Sequence, residues 1–162
     1  MHPIAWYLAL LISIPQTLMI ILMGFSLFNL KIDLSRTVIV ALVMGVICYL
    51  IRLLPIPLAV NTICIILGIA VLTSLIGNTP FLDSFIASLL GVMLYGVIEN
   101  IILQTFFKIT EYTVSDVITN SFLNIVLFIP VLLLILSIYF LCRRFNVVIY
   151  DLGTRGEYSE QR

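Results

Sequence analysis

The sequence predicts an all-α protein, a polytopic integral membrane bundle of about five transmembrane helices. Of its 162 residues, 62% are apolar and 10% are charged, and the mean hydropathy is +1.25. Soluble domains carry roughly 25% charged residues. The few charges lie in short segments between long apolar stretches. We therefore expect one transmembrane domain, residues 1–142, followed by a short cytoplasmic tail, residues 143–162.

Five apolar stretches have the length that a membrane-spanning helix needs, which is about 20 residues. The predicted spans are residues 4–28, 37–54, 58–76, 81–107 and 120–141. Pro55 and Pro57 separate the second span from the third, because proline lacks an N–H donor and disfavours helical geometry in the residue before it. Residues 77–80, Gly-Asn-Thr-Pro, predict a turn between the third and fourth spans.

The distribution of Lys and Arg predicts the orientation of the chain. With five spans, the first loop and the carboxyl-terminal tail lie on one side and carry six basic residues, against two on the other side. Cytoplasmic loops carry the excess of basic residues in membrane proteins. We therefore expect an external amino terminus and a cytoplasmic carboxyl terminus.

The fourth span contains Glu99, the only acidic residue deep inside a predicted span. Residues at steps of three and four share one face of a helix. On this face Glu99 follows a set of mostly small residues, Ser84, Ala87, Ser88, Gly91 and Tyr95. Small residues at this spacing let helices approach closely. We expect this helix-packing face to be buried and Glu99 to point into the bundle.

The predicted topology places five polar residues at similar depth in the outer half of the membrane: Arg52, Asn61, Glu99, Asn100 and Asn124. One interpretation is a structural polar network that fixes helix register, with Arg52 reaching the interface. A second is a ligand-binding pocket open to the outside or to the outer leaflet. An ion or proton path is a third, although one carboxylate supplies no relay. We expect Arg52 and Glu99 to form a pair.

The residue types predict no enzyme. Membrane hydrolases need a nucleophile with a base, or a metal with several His and carboxylate ligands. The chain has one histidine, His2, and its cysteines, Cys48, Cys64 and Cys142, lack paired spacing. We expect no catalytic residue, no metal site and no cofactor. The net charge of zero also gives no reason to expect nucleic acid as a partner.

Two stretches carry a family resemblance. The first contains Ile14-Pro15-Gln16, Gly24-Phe25-Ser26-Leu27-Phe28 and Lys31; the second contains Tyr49-Leu50-Ile51-Arg52-Leu53-Leu54-Pro55-Ile56 and Asn61-Thr62-Ile63. Over residues 10–105 the chain resembles the multi-helix transmembrane sensor region of Firmicutes GHKL-type sensor histidine kinases, which include relatives of accessory-gene-regulator peptide receptors. The resemblance implies a multi-pass protein of a bacterial cell membrane with a ligand-sensing role, and Arg52 and Asn61 are at matching positions. No kinase domain follows the last span, so we expect no kinase activity.

These observations together favour a non-catalytic, receptor-like module that binds a ligand or partner through the outer polar cluster. One alternative is the substrate-binding subunit of a vitamin-type importer. Another is a structural membrane scaffold that self-assembles. Besides the lipid bilayer, the expected partner is a second copy of the chain or another membrane protein.

The topology is testable by thiol labelling of Ser115→Cys and Ser159→Cys in a background without native cysteines. An impermeant maleimide added to intact cells should label the first variant, in the largest predicted external loop. It should label the second, in the predicted cytoplasmic tail, only after permeabilisation. The reverse pattern would show that the orientation is inverted.

Overall fold

The computed structural model describes residues 6–54, 57–110, 112 and 121–151, and every regular element in this part of the chain is an α-helix. There are five: α1 (Trp6–Leu27), α2 (Leu34–Leu53), α3 (Leu58–Gly77), α4 (Phe81–Ile109) and α5 (Ser121–Arg144). All five are long and apolar enough to cross a membrane. The prediction of an all-α chain with five such helices is confirmed.

α2 and α5 extend furthest beyond the apolar stretches that predicted them, each by three residues at one end. α2 begins at Leu34, where the backbone N–H and the hydroxyl of Thr37 both donate to the carbonyl oxygen of Asp33, at 3.0 and 3.1 Å. α5 continues to Arg144, and cations in the last turn interact favourably with the helix dipole. Hydropathy alone misses these helix ends because Ser35, Arg36, Arg143 and Arg144 are polar but still helical.

α1 is the central helix. It packs against α2, α4 and α5, while α4 also packs against α3 and α5, and α2 packs against α3. Half of the apolar stretch of α1 is buried, against 33% or less in the other four helices. Short connections make α1 to α4 successive antiparallel neighbours. The backbone N–H of Ile149 donates to the carbonyl oxygen of Leu27 at 2.8 Å, which brings the end of α5 to the end of α1.

Three helices stop at the same end of the bundle, and an asparagine in left-handed conformation follows each. We call this the asparagine end, after Asn29 (φ 53°), Asn78 (φ 58°) and Asn146 (φ 49°). Asparagine adopts this conformation more readily than other non-glycine residues. After α1 and α5, the next N–H returns to the helix, from Leu30 to the Phe25 carbonyl oxygen and from Val147 to that of Cys142. These bonds satisfy carbonyl groups that the helix end leaves unpaired.

The closest helix contact is the crossing of α1 and α4, which we call the glycine crossing. A Cβ added to Gly24 of α1 would overlap the carbonyl oxygen of Ala87 of α4. A Cβ added to Gly91 of α4 would overlap the carbonyl oxygen of Ile20 of α1. Each glycine therefore faces the backbone of the opposite helix. Such contacts supply packing and dispersion energy that needs no hydrophobic driving force between helices.

Glycines also receive side chains at two other helix contacts. Gly45 of α2 lies against the side chain of Ile14 of α1, and Gly68 of α3 lies against the sulfur of Met44 of α2. A Cβ at either position would come within 3.0 Å of that side chain. The first four helices are thus held together by contacts that depend on the absence of a side chain at one partner.

The predicted packing face of α4 is buried along its whole length, namely Ser84, Ala87, Ser88, Gly91 and Tyr95. Its hydroxyl groups have partners in the helix and in the preceding turn. Ser88 Oγ donates to the Ser84 carbonyl oxygen at 2.6 Å. Ser84 Oγ lies 2.5 Å from Thr79 Oγ1, which itself donates to the Thr73 carbonyl oxygen. Because the Thr79 proton is used in that bond, Ser84 is the donor to Thr79.

The glycine crossing is testable by one substitution made at two positions of α4. Gly91→Ala should lower the free energy of unfolding by about 1–3 kcal/mol, the usual effect of overpacking, because its neighbour is backbone and does not yield. Gly96→Ala is the matched control. No atom beyond its chain neighbours and its own helical backbone lies within 4 Å of the added Cβ. Reversible unfolding in mixed micelles measures both, and equal stability of the two variants would contradict the crossing.

Candidate ligand-binding site

A cavity of about 440 Å³ lies among α1, α3 and α4, and we call it the main cavity. Its polar lining comes from all three helices and consists of Gln16, Thr62, Tyr95, Glu99 and Asn100. The remaining lining is apolar apart from Gly96. A predominantly apolar wall with a small number of polar groups is typical of a small-molecule site.

The position of the main cavity follows from the change in residue size along α4. Up to Gly91 the packing face is small, and α1 and α4 touch through their backbones. One and two turns later the same face carries Tyr95 and Glu99, whose side chains need more room. On the neighbouring face Gly96 meets open space. The helices therefore leave an open cavity beside the glycine crossing.

A smaller cavity, of about 140 Å³, lies among α1, α4 and α5. Its polar lining is Tyr95, Glu99 and Asn124. Tyr95 and Glu99 thus line both cavities and separate one from the other. Tyr95 is 4% exposed and Glu99 is half-buried. Glu99 consequently belongs to the walls of both cavities.

The structure brings some residues of the predicted polar cluster together and not others. Glu99 shares the smaller cavity with Asn124 and the main cavity with Asn100. The side chain of Asn100 is exposed, and its Oδ1 accepts a hydrogen bond from Gln104 Nε2 at 2.8 Å. Asn61 lines neither cavity, and its Oδ1 is buried without a hydrogen-bond partner among the described residues. The side chain of Arg52 lies outside the described residues.

Besides the apolar lining, the predicted polar cluster omitted Gln16, Thr62 and Gly96 of the main cavity. Gln16 lies in the first span, far along the chain from the other members of that cluster, and depth along one helix does not show which residues of another helix it meets. Thr62 lies beside Asn61 on α3, and the choice between adjacent residues depends on how α3 is rotated, which its sequence does not encode. Gly96 lies off the small-residue face, and no periodicity distinguishes a glycine beside a cavity from one facing outward.

The polar groups of the main cavity can support non-covalent binding. Its polar lining offers an amide, two hydroxyl groups, a carboxylate and a second amide. Among the described residues, no group of three or more His, Cys, Asp or Glu could hold a metal ion. The lining can donate and accept several hydrogen bonds around a partly apolar molecule.

The pairing of Arg52 with Glu99 stays a prediction, and a double-mutant cycle tests it. Arg52→Ala and Glu99→Ala should each destabilise the protein by about 3–5 kcal/mol, the effect of leaving one member of a buried pair without its partner. The double variant should lose much less than the sum. Lys108→Ala, at an exposed residue of the same helix, is the control and should combine additively with Glu99→Ala. Additivity of Arg52→Ala with Glu99→Ala would contradict the pair.

In comparisons with known proteins, no protein-family model, curated protein or solved structure matches this chain. The functional interpretation therefore depends on the cavities and on the residues that line them.

Proposed function

We propose that the chain is a multi-pass membrane protein with an external amino terminus, and that it acts as a receptor-like module that binds a small ligand in the main cavity. The observation that carries this proposal is the half-buried Glu99 at the wall of a cavity of about 440 Å³, among long and predominantly apolar helices. An ionisable residue at membrane depth is energetically costly, and such residues usually mark functional sites.

The cavity supports a particular class of ligand. Its volume lies within the range of roughly 300–1,000 Å³ that small-molecule sites occupy. Its apolar wall favours a ligand with an apolar body, and Gln16, Thr62 and Glu99 offer hydrogen bonds to amide groups. A short apolar peptide has both properties. The resemblance to sensor regions related to peptide receptors agrees with this ligand class.

The position of the cavity supports a sensing mechanism. A ligand in the main cavity contacts α1 through Gln16 and Ile20, and Ile20 also forms one side of the glycine crossing. A ligand shifts a conformational equilibrium only by as much as its affinities for the two states differ. A ligand that favours a different angle between α1 and α4 would change their relative position at the asparagine end. A second membrane protein could respond to that change.

A substrate-binding subunit of an importer would also need a cavity, whereas a purely structural scaffold would not. The two ligand-binding alternatives differ in outcome. A receptor retains its ligand on one side of the membrane, and an importer subunit delivers it to the other side when its partner is present. Uptake of radiolabelled peptide into vesicles that contain the chain and its membrane partner would favour the importer.

The test of ligand binding uses a panel of capped apolar tripeptides and the thermal unfolding of the purified full chain. We expect at least one tripeptide to raise the melting temperature in proportion to its occupancy. Gly96→Leu should abolish the increase because the new side chain occupies the cavity, yet the variant should fold because Gly96 meets open space. Gly96→Ala, the control, should retain most of it. An increase that survives Gly96→Leu would exclude the main cavity as the binding site.

A further inference from the structure

A third cavity, of about 320 Å³, opens at the asparagine end and shares no lining residue with the two cavities beside Glu99. We call it the basic cleft. It lies between the end of α1, the connection from α1 to α2 and the end of α5. Its charged lining residues are Lys31 and Arg143, and neutral hydrogen-bonding groups of Ser26, Asn29, Thr37 and Tyr139 accompany them.

Two helix ends bring these residues together. The left-handed Asn29 turns the chain at the end of α1, so that Lys31 follows within two residues. The left-handed Asn146 turns the chain at the end of α5 in the same way. The hydrogen bond from Ile149 to Leu27 then joins the two turns. The cleft is therefore part of the folded bundle and does not depend on a free tail.

The charged residues that line the cleft are all positive. The two basic residues that line the cleft, Lys31 and Arg143, are cations. No acidic residue that the structure describes lines it. Asp33 lies nearby in sequence but pairs with Arg36 at 3.5 Å. Arg143 Nη1 lies 3.4 Å from the hydroxyl oxygen of Tyr139, to which it donates. Guanidinium and ammonium groups with neutral donors are the usual ligands of phosphate oxygens.

We propose that the basic cleft binds the phosphate of an anionic phospholipid headgroup. The proposal rests on the membrane insertion proposed above, which places the ends of α1 and α5 at an interface. Apolar side chains of Leu22, Val147 and Val148 line the same cleft as the two cations. A free phosphate ion gains no binding energy from an apolar wall, whereas the glycerol and first acyl carbons of a lipid can pack against it. Anionic lipids are also enriched in the cytoplasmic leaflet, where basic residues near the membrane surface are attracted to them.

The test compares two adjacent arginines that differ in one respect. Arg143 lines the cleft and Arg144 does not, although both are exposed and both belong to the last turn of α5. Thermal unfolding of the full chain in detergent is followed with dihexanoyl-phosphatidylglycerol, with dihexanoyl-phosphatidylcholine and with inorganic phosphate. We expect only the first to raise the melting temperature. Arg143→Gln should weaken its apparent affinity roughly tenfold, the order expected for a lost hydrogen bond to a charged group, and Arg144→Gln should not.

A second readout uses the native cysteine of the cleft. Cys142 is half-buried and lines the cleft, so bound lipid should slow its alkylation by a maleimide in a Cys64→Ser background. Arg143→Lys should restore part of the protection by retaining the charge. If Arg143→Gln and Arg144→Gln lower the affinity for phosphatidylglycerol equally, the cleft is not the binding site. If inorganic phosphate protects Cys142 from alkylation as well as the lipid does, the ligand is phosphate and not a lipid headgroup. Tripeptide binding in the main cavity is expected to survive Arg143→Gln, so that a failure of either proposal is seen separately.

Discussion

The contact on which the rest of the structure depends is the approach of the α1 and α4 backbones at Gly24 and Gly91. In a lipid bilayer, helices gain little from hiding apolar surface, so the association of membrane helices depends on close packing. At this crossing each glycine exposes its backbone to a carbonyl group of the other helix. The crossing fixes the position of α1, and α2, α4 and α5 all pack against that helix. A larger side chain at either glycine would separate the two helices that hold the remaining three in place.

The same crossing explains why the bundle contains cavities beside Glu99. α4 carries small residues from Ser84 to Gly91 and large ones at Tyr95 and Glu99, all on one face. α1 and α4 touch through their backbones along the small segment, but the large side chains of the second segment keep them further apart. Two straight helices therefore cannot stay in close contact along their whole length. The space left over becomes the main cavity and its smaller neighbour, with Tyr95 and Glu99 between them. Packing and the candidate ligand site are therefore two results of a single pattern in α4.

Features of the fold that depend on the sequence of a single helix could be predicted, whereas contacts between two helices could not. The five helices follow from local hydropathy, and the inward face of α4 follows from the spacing of its small residues. The partner of Gly91 does not, because any helix of the bundle could have met that face. The polar cluster was predicted from depth alone, which groups Asn61 with Glu99 but cannot tell that Thr62, one residue later, faces the cavity. The return of residues after Asn146 to the end of α1 was also missed, since a hydrogen bond between distant backbone groups leaves no sequence pattern.

The glycine crossing also has a consequence for the order in which the protein can be assembled. Gly24 and Gly91 are 67 residues apart in the chain. Ribosomes add about 5–20 residues per second, so α1 waits on the order of 3–13 s before the backbone it contacts has been synthesised. During this interval its small-residue surface is available to any other helix nearby. A nascent α1 can thus meet the α4 of a neighbouring molecule whose own α1–α4 contact has not yet formed, and expression at high density would favour exchanged pairs over correctly closed monomers.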